Sequence, residues 1–119
     1  MVTRERALKF AQEWIEAWNA RDLESVLSHY TDDFEMNSPF IAAFSGEPSG
    51  TLKGKTQVSA YWKNALTRIP DLRFELLEVF TCVNSITIYY KAVLGKLATE
   101  VFFLNQDDKA YRALAHYDS

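Results

Sequence analysis

Glu100 stands out for chemistry, because it is a carboxylic acid inside an apolar segment. That segment, residues 97–104, reads LATEVFFL. An unpaired buried charge is too costly in a protein, so this carboxyl group must be paired, protonated or open to a pocket. At a pocket, it could act as the acid or base in a reaction next to a carbonyl group.

The turn before this segment decides between a pocket position and a surface ion pair. If the turn at Gly95-Lys96 has two residues, Lys91 lies opposite Glu100 and the two charges pair across neighbouring strands. A shift of one residue in the turn reverses the face on which Glu100 lies. The sequence is compatible with both geometries.

Other acid–base candidates are few. His116 and Asp118 lie two residues apart, on one face of a strand that reaches Asp118, and could transfer a proton. His116 alternates with Ala115 and Tyr117, which are expected to face the pocket, so the face with His116 is expected to point away from it, towards a partner chain. His29 is predicted as a surface residue at a helix end. Cys82 has no neighbouring base that would make it a nucleophile.

Three amphipathic helices are predicted to position these groups. Thr3 and Asp22 are suitable capping residues, and Pro70 stops the last helix. Apolar residues recur at three- and four-residue steps in each segment. The predicted helices cover about residues 4–20, 22–30 and 58–69.

Alternation with period two predicts the strands. They cover residues 34–38, 51–53, 72–80, 84–94, 97–105 and 109–117. Residues 39–50 are predicted as a loop whose apolar part, residues 40–44, must cover a cavity mouth or a partner chain. The order predicts one α+β domain over residues 1–119, with a mostly antiparallel sheet and three helices on one face.

Composition excludes several functional classes. The 119 residues are 48% hydrophobic with a net charge of −3, which argues against a nucleic-acid-binding protein. No apolar run is long enough to span a membrane, and residues 1–6 do not resemble a secretory signal, so a cytoplasmic location is expected. One cysteine and two histidines make a metal site unexpected. No glycine cluster suggests a nucleotide or flavin cofactor.

Several motifs follow one another in a fixed order along the chain: AWNARDL at 17–23, YTDDF at 30–34, SP at 38–39, GK at 54–55, YW at 61–62, AL at 65–66, EVF at 100–102 and AHY at 115–117. Together they resemble a known superfamily, the nuclear transport factor 2-like domains, in its SnoaL-like and ketosteroid-isomerase-like branch. The resemblance implies a cone-shaped, strongly curved sheet around a pocket, usually in a homodimer. This scaffold hosts isomerases, cyclases, dehydratases and non-catalytic binding domains, so it does not fix an activity.

The resemblance also suggests roles for individual residues. In ketosteroid isomerases a tyrosine and a protonated aspartate bind the developing enolate, and these positions correspond to Trp14 and Glu100. The aspartate that moves the proton corresponds to Ser38, and supporting tyrosines to Tyr30 and Trp62. Serine is a poor base and an indole does not titrate. The enolate-binding side is therefore expected to persist without the family's base.

The expected function is a SnoaL-like pocket protein that binds a small, largely apolar molecule, without a cofactor. One alternative is an isomerase, cyclase or dehydratase that uses Glu100 as acid or base next to a carbonyl group. The other is a non-catalytic dimerisation or interaction module whose cavity is filled by its own aromatic side chains. A homodimer is expected through the outer sheet face, where Val101 and Phe103 would otherwise be exposed. The predicted catalytic residues are Trp14, Ser38 and Glu100, and the predicted ligand-binding residues are Trp14, Trp18, Tyr30, Phe34, Met36, Ser38, Tyr61, Trp62, Glu100, Phe102 and Tyr117.

Overall fold

A computed structural model describes residues 1–118, which form helices and one set of strands. Within that range the helices are α1 (Arg4–Asn19), α2 (Leu23–Leu27), α3 (Pro39–Phe44) and α4 (Lys55–Arg68). The strands are β1 (Tyr30–Asn37), β2 (Thr51–Lys53), β3 (Glu75–Thr81), β4 (Ser85–Lys91), β5 (Leu97–Leu104) and β6 (Ala110–Tyr117). None of the helices in the described range is long and apolar enough to cross a membrane.

The strands form one curved sheet in the order β2-β1-β6-β5-β4-β3. Neighbouring strands are antiparallel, except that β1 and β6 run parallel. The four strands β3 to β6 follow one another as a meander, because short connections favour antiparallel neighbours. The predicted α+β class and the mostly antiparallel sheet are confirmed.

The core lies between the helices and one face of the sheet. Helix α1 begins after Thr3, whose side chain accepts a hydrogen bond from the Arg6 backbone N–H. Its buried stripe includes Phe10, Trp14 and Trp18, at the four-residue spacing that lines up side chains on one helix face. Every second residue of β5 is buried, so its inner face packs against these helices.

Several predicted boundaries are wrong. Strand β1 begins at Tyr30 rather than residue 34, and an irregularity in its pairing with β6 accommodates the polar residues after Tyr30. The predicted loop at 39–50 contains α3, a fourth helix. It forms because the Ser38 side chain accepts a hydrogen bond from the Phe40 N–H and Pro39 occupies the first helical position, where its ring is favourable.

The register between β4 and β5 settles the position of Glu100. Glu100 pairs with Ile88, and Lys91 pairs with Leu97, so the connection spans residues 92–96 instead of a two-residue turn. The proposed surface pair between Lys91 and Glu100 is therefore wrong. Lys91 lies near the Glu75 carboxylate at 3.8 Å, whereas Glu100 is buried on the inner face.

Candidate functional site

A cavity of about 440 Å³ opens between the inner sheet face and the helices. Helices α1 and α4 supply one wall, and β1, β4, β5 and β6 supply the other. Trp14, Trp18 and Trp62 are buried along it. At the opening, Phe44, Arg68 and Leu94 are exposed to solvent, and we call these three residues the mouth.

The walls are aromatic. Trp14 stacks on Phe74 with ring centroids 5.7 Å apart and meets Trp18 edge to face at 6.3 Å. Trp18 in turn meets Trp62 edge to face at 5.1 Å. These offset and edge-on geometries are the favourable ones for aromatic pairs. The rings therefore hold each other in place around a mainly apolar space.

Glu100 is the acidic residue of this wall. It is only 3% exposed, and the Tyr90 hydroxyl donates a hydrogen bond to its Oε1 atom at 3.1 Å. Its Oε2 atom has no hydrogen-bond partner within residues 1–118. Burial raises the pKa of Glu100 to about 8, although the Tyr90 hydrogen bond favours the charged form. At neutral pH the side chain is thus mainly a neutral carboxylic acid with an unused oxygen.

Three hydroxyl groups form a hydrogen-bonded chain that ends at this acid. Hydrogen-bonding interactions link the Tyr117 hydroxyl to Tyr90 and to Ser38. Burial, with a smaller effect of the Glu100 charge, raises the pKa of Tyr117 well above its usual value. We call Ser38, Tyr90, Glu100 and Tyr117 the polar cluster. Its members are uncharged at neutral pH, so it suits a neutral hydrogen-bonding group such as a carbonyl oxygen.

Most of the residues predicted for ligand binding lie along the cavity, and three do not. The described cavity wall includes Trp14, Trp18, Met36, Ser38, Tyr61, Trp62, Glu100 and Tyr117. Tyr30, Phe34 and Phe102 are buried in the core and do not line this wall, so a contact between them and a ligand stays a prediction. They share the inner faces of their strands, but their rings pack against one another and against Trp14 or Trp62.

The indole donor of Trp14, for which a catalytic role was predicted, has a partner in the structure. Its indole Nε1–H donates a hydrogen bond to the Tyr30 hydroxyl at 2.9 Å. That donor is therefore occupied inside the core and is not available to an enolate oxygen. Ser38 lies in the polar cluster, but its hydroxyl oxygen also accepts the hydrogen bond that caps α3. Of the three predicted catalytic residues, Glu100 is the one with a buried polar atom that has no partner within residues 1–118.

Sequence reasoning missed Tyr90, Arg68 and Leu94 as residues of the cavity wall. Tyr90 lies at a two-residue spacing from the buried residues Ile86 and Ile88, on the same face of β4. This spacing was the available signal for an inward position. The apolar segment at 40–44 was predicted to cover a cavity mouth or a partner chain. In the structure, its residues Phe40 and Phe44 line the cavity. No comparable signal marked Leu94, a residue whose backbone φ of 58° lies in the left-handed region.

The other acid–base candidates lie away from the cavity. His116 is exposed and pairs with Thr99 on the outer sheet face. His29 is buried and not on the surface as expected, because its Nδ1–H donates to the Ser25 carbonyl at 2.9 Å and its ring packs on Phe10. Cys82 is exposed. Within residues 1–118, no group of three or more His, Cys, Asp and Glu side chains is placed to hold a metal ion.

Comparison with known proteins agrees with this architecture. A family model described as a SnoaL-like domain matches residues 11–112. A crystal structure of a SnoaL-like protein of unknown function from Burkholderia thailandensis is 51% identical, with a TM-score of 0.96, over 99% of this chain and 98% of that chain. No curated protein matches the chain at a significant level.

More distant structures share the fold alone. A proposed isomerase of the SnoaL-like family from Agrobacterium tumefaciens is 18% identical with a TM-score of 0.74, over 95% of this chain and 97% of that one. A proposed polyketide cyclase from Sinorhizobium meliloti is 12% identical with a TM-score of 0.76, over 97% and 100%. Other matched structures carry the names NTF2-like and cystatin-like for this fold. The family model over residues 11–112 and the Burkholderia thailandensis structure at 51% identity show that the chain belongs to the family of SnoaL-like domains.

Proposed function

We propose that this SnoaL-like domain binds a small, largely apolar molecule through one carbonyl oxygen, with protonated Glu100 as the hydrogen-bond donor. The observation that carries the proposal is the Glu100 Oε2 atom, which is buried on the cavity wall and lacks a partner within the described residues. A buried polar atom without a partner costs free energy. A carbonyl oxygen that accepts from a protonated Oε2 would remove this cost.

The aromatic walls support an apolar ligand body. Trp14, Trp18, Trp62 and Phe74 present ring surfaces to the cavity, and such surfaces bind flat apolar groups well. The cavity of about 440 Å³ falls within the range of sites that hold organic molecules. This open volume weighs against the alternative of an interaction module whose cavity is filled by its own side chains.

An enzyme is the second candidate, and the raised pKa of Glu100 favours it. Acids and bases are most effective when their pKa lies near the working pH, and about 8 meets that condition. The Tyr61 hydroxyl, whose pKa burial raises to about 12, is a poor base at neutral pH. Protonated Glu100 would then polarise a carbonyl oxygen. In the molecules in which Glu100 is ionised, roughly a tenth at pH 7, it would instead take a proton from the carbon next to that carbonyl group and can return it there. The names isomerase and polyketide cyclase in two structural neighbours are compatible with such chemistry.

Binding of a neutral ketone across pH tests the proposal. We would titrate 2-acetonaphthone into the protein by calorimetry between pH 6 and 9. Glu100→Gln is the test variant. Glu24→Gln, at an exposed carboxyl group on α2 that does not line the cavity, is the matched control. The wild type and the control should bind more weakly as the pH rises past about 8, because the ionised Glu100 carboxylate no longer donates.

The Glu100→Gln variant should bind with an affinity that does not depend on pH. Wild-type binding that is equally strong at pH 6 and pH 9 would contradict the proposal. Exchange of the acetyl protons with D₂O, followed by NMR, then tests catalysis. Exchange that is faster with the wild type than with Glu100→Gln would support the enzyme, and exchange at the buffer rate would leave a binding protein.

A further inference from the structure

Arg68 places a positive charge at the mouth of the cavity. It lies on the same stripe of α4 as Tyr61, seven residues further along, and both side chains line the cavity. Two helical turns correspond to about 10 Å along the axis. Tyr61 influences the Tyr117 hydroxyl electrostatically, so it marks the end of the stripe nearer the polar cluster. Arg68 therefore lies roughly a small aromatic molecule's length from that end.

The charges of the cavity wall differ in sign from those of the whole chain. The protein has 13 basic and 16 acidic residues. On the described wall, Arg68 carries a positive charge, and the acidic residue Glu100 is mainly neutral at pH 7. A cleft lined by one sign of charge attracts ligands of the opposite sign.

Arg68 is also not occupied by the protein itself. No carboxylate within residues 1–118 forms an ion pair with its guanidinium group, although the chain has several ion pairs elsewhere. Its position in the last turn of α4 is favourable for a cation because of the helix dipole. That role would affect helix stability and would not depend on the charge of a ligand.

Exposed apolar side chains also line the cavity that Arg68 lines. Leu94 is 90% exposed and Phe44 is 61% exposed, and both line the cavity. Large apolar side chains exposed together at an opening are typical of a ligand-contact surface. The apolar body of a ligand can therefore extend over the whole distance between the polar cluster and Arg68.

We propose that the ligand is an organic anion, with its carbonyl oxygen at Glu100, an aromatic or alicyclic body between the tryptophans, and a carboxylate at Arg68. This inference rests on the proposed function, because it assumes the carbonyl contact at Glu100. A carboxylate is chosen because the planar guanidinium group can donate two parallel hydrogen bonds to it. The substrate class is then a keto acid whose two polar ends contact Glu100 and Arg68 on the wall of one cavity.

A pair of matched probes separates the charge from the rest of the ligand. We would use 6-acetyl-2-naphthoic acid, which is ionised at pH 7, and its neutral methyl ester. Binding to the wild type would be compared with Arg68→Gln, Arg68→Lys and Lys63→Gln. The last variant removes the same charge from an exposed site on the same helix that does not line the cavity.

The wild type should bind the acid about tenfold more tightly than the ester at low salt, as expected for a charge-assisted hydrogen bond. Arg68→Gln should lose this preference without weakening ester binding. Arg68→Lys should keep part of it, and Lys63→Gln should keep it fully. Raising the salt concentration should reduce the preference in the wild type.

Two failures can be distinguished. Equal binding of acid and ester by the wild type, or an unchanged preference in Arg68→Gln, would overturn the inference, whereas pH-dependent ester binding would leave the proposed function intact. If neither probe binds, both the inference and the proposed function fail. Loss of ester binding in Arg68→Gln would also overturn the inference, because a charge-specific contact should not affect the neutral ligand.

Discussion

Replacement of Glu100 with glutamine should change how the stability of the protein depends on pH. Glutamine has nearly the same shape, and its Oε1 atom can still accept the Tyr90 hydrogen bond of 3.1 Å. It cannot ionise. The difference in unfolding free energy between the wild type and Glu100→Gln at each pH therefore reports the ionisation of Glu100 alone, because other titrating groups cancel.

The expected size follows from the rise of the Glu100 pKa from 4.5 to about 8. Below pH 4.5, Glu100 is protonated in both the folded and the unfolded chain. Between pH 4.5 and 8 the unfolded chain ionises and the folded one does not, so the wild type loses about 1.4 kcal/mol of stability per pH unit. Above pH 8 both states are ionised and the difference is constant. The total loss is about 5 kcal/mol, a large part of a typical domain's stability.

Urea denaturation at pH 5, 6, 7, 8 and 9, followed by tryptophan fluorescence, would measure this difference. Trp14, Trp18 and Trp62 are all buried, so unfolding should change their emission strongly. The advantage of Glu100→Gln over the wild type should grow steadily up to about pH 8 and then level off. A difference that stays constant from pH 5 to pH 9 would refute the reasoning, since Glu100 would then ionise equally in both states.

Two further predictions concern the surface. We propose that the chain forms a homodimer through its outer sheet face, where Val101 and Phe103 are half-buried and Phe80 is 56% exposed. Sedimentation velocity should give twice the 13.7 kDa chain mass for the wild type. It should give the mass of a single chain for Val101→Lys. A wild type that is monomeric at micromolar concentration would contradict the dimer. Leu94→Asn should raise the unfolding free energy by up to about 1 kcal/mol, because asparagine tolerates the left-handed backbone better than leucine does. A lower midpoint in thermal denaturation would show that Leu94 contributes packing that its exposure does not reveal.

Local patterns in the sequence were sufficient to predict most of the fold. The stripe on α1 and the alternation in β5 depend only on residue spacing, and both elements lie where the spacing places them. The connection between β4 and β5 could not be predicted in the same way. Gly95 suggested a two-residue turn, but the connection spans residues 92–96. Leu94 adopts a positive φ in it, which leucine rarely does, so its sequence did not indicate this conformation.

The candidate site was harder to predict, because its properties depend on contacts between distant elements. The inward face of Glu100 depends on the register with β4, which a single residue in a turn can change. From the sequence, the indole N–H of Trp14 was expected to donate a hydrogen bond to a ligand. In the fold it donates to the Tyr30 hydroxyl. Residue types thus located the cavity, and tertiary contacts decided which polar atoms remain free for a ligand.

The parallel pairing of β1 with β6 has a consequence for the order in which the protein folds. Met36 pairs with Ala113, so this contact closes a long stretch of chain, and such closures are slow compared with the formation of a meander. Tyr90 and Glu100 belong to adjacent strands of the meander, whereas Ser38 follows β1 directly. During refolding, the hydrogen bond between Tyr90 and Glu100 should therefore form before β1 pairs with β6 and brings Ser38 to the polar cluster. Ligand affinity is then expected to appear only in the last kinetic phase.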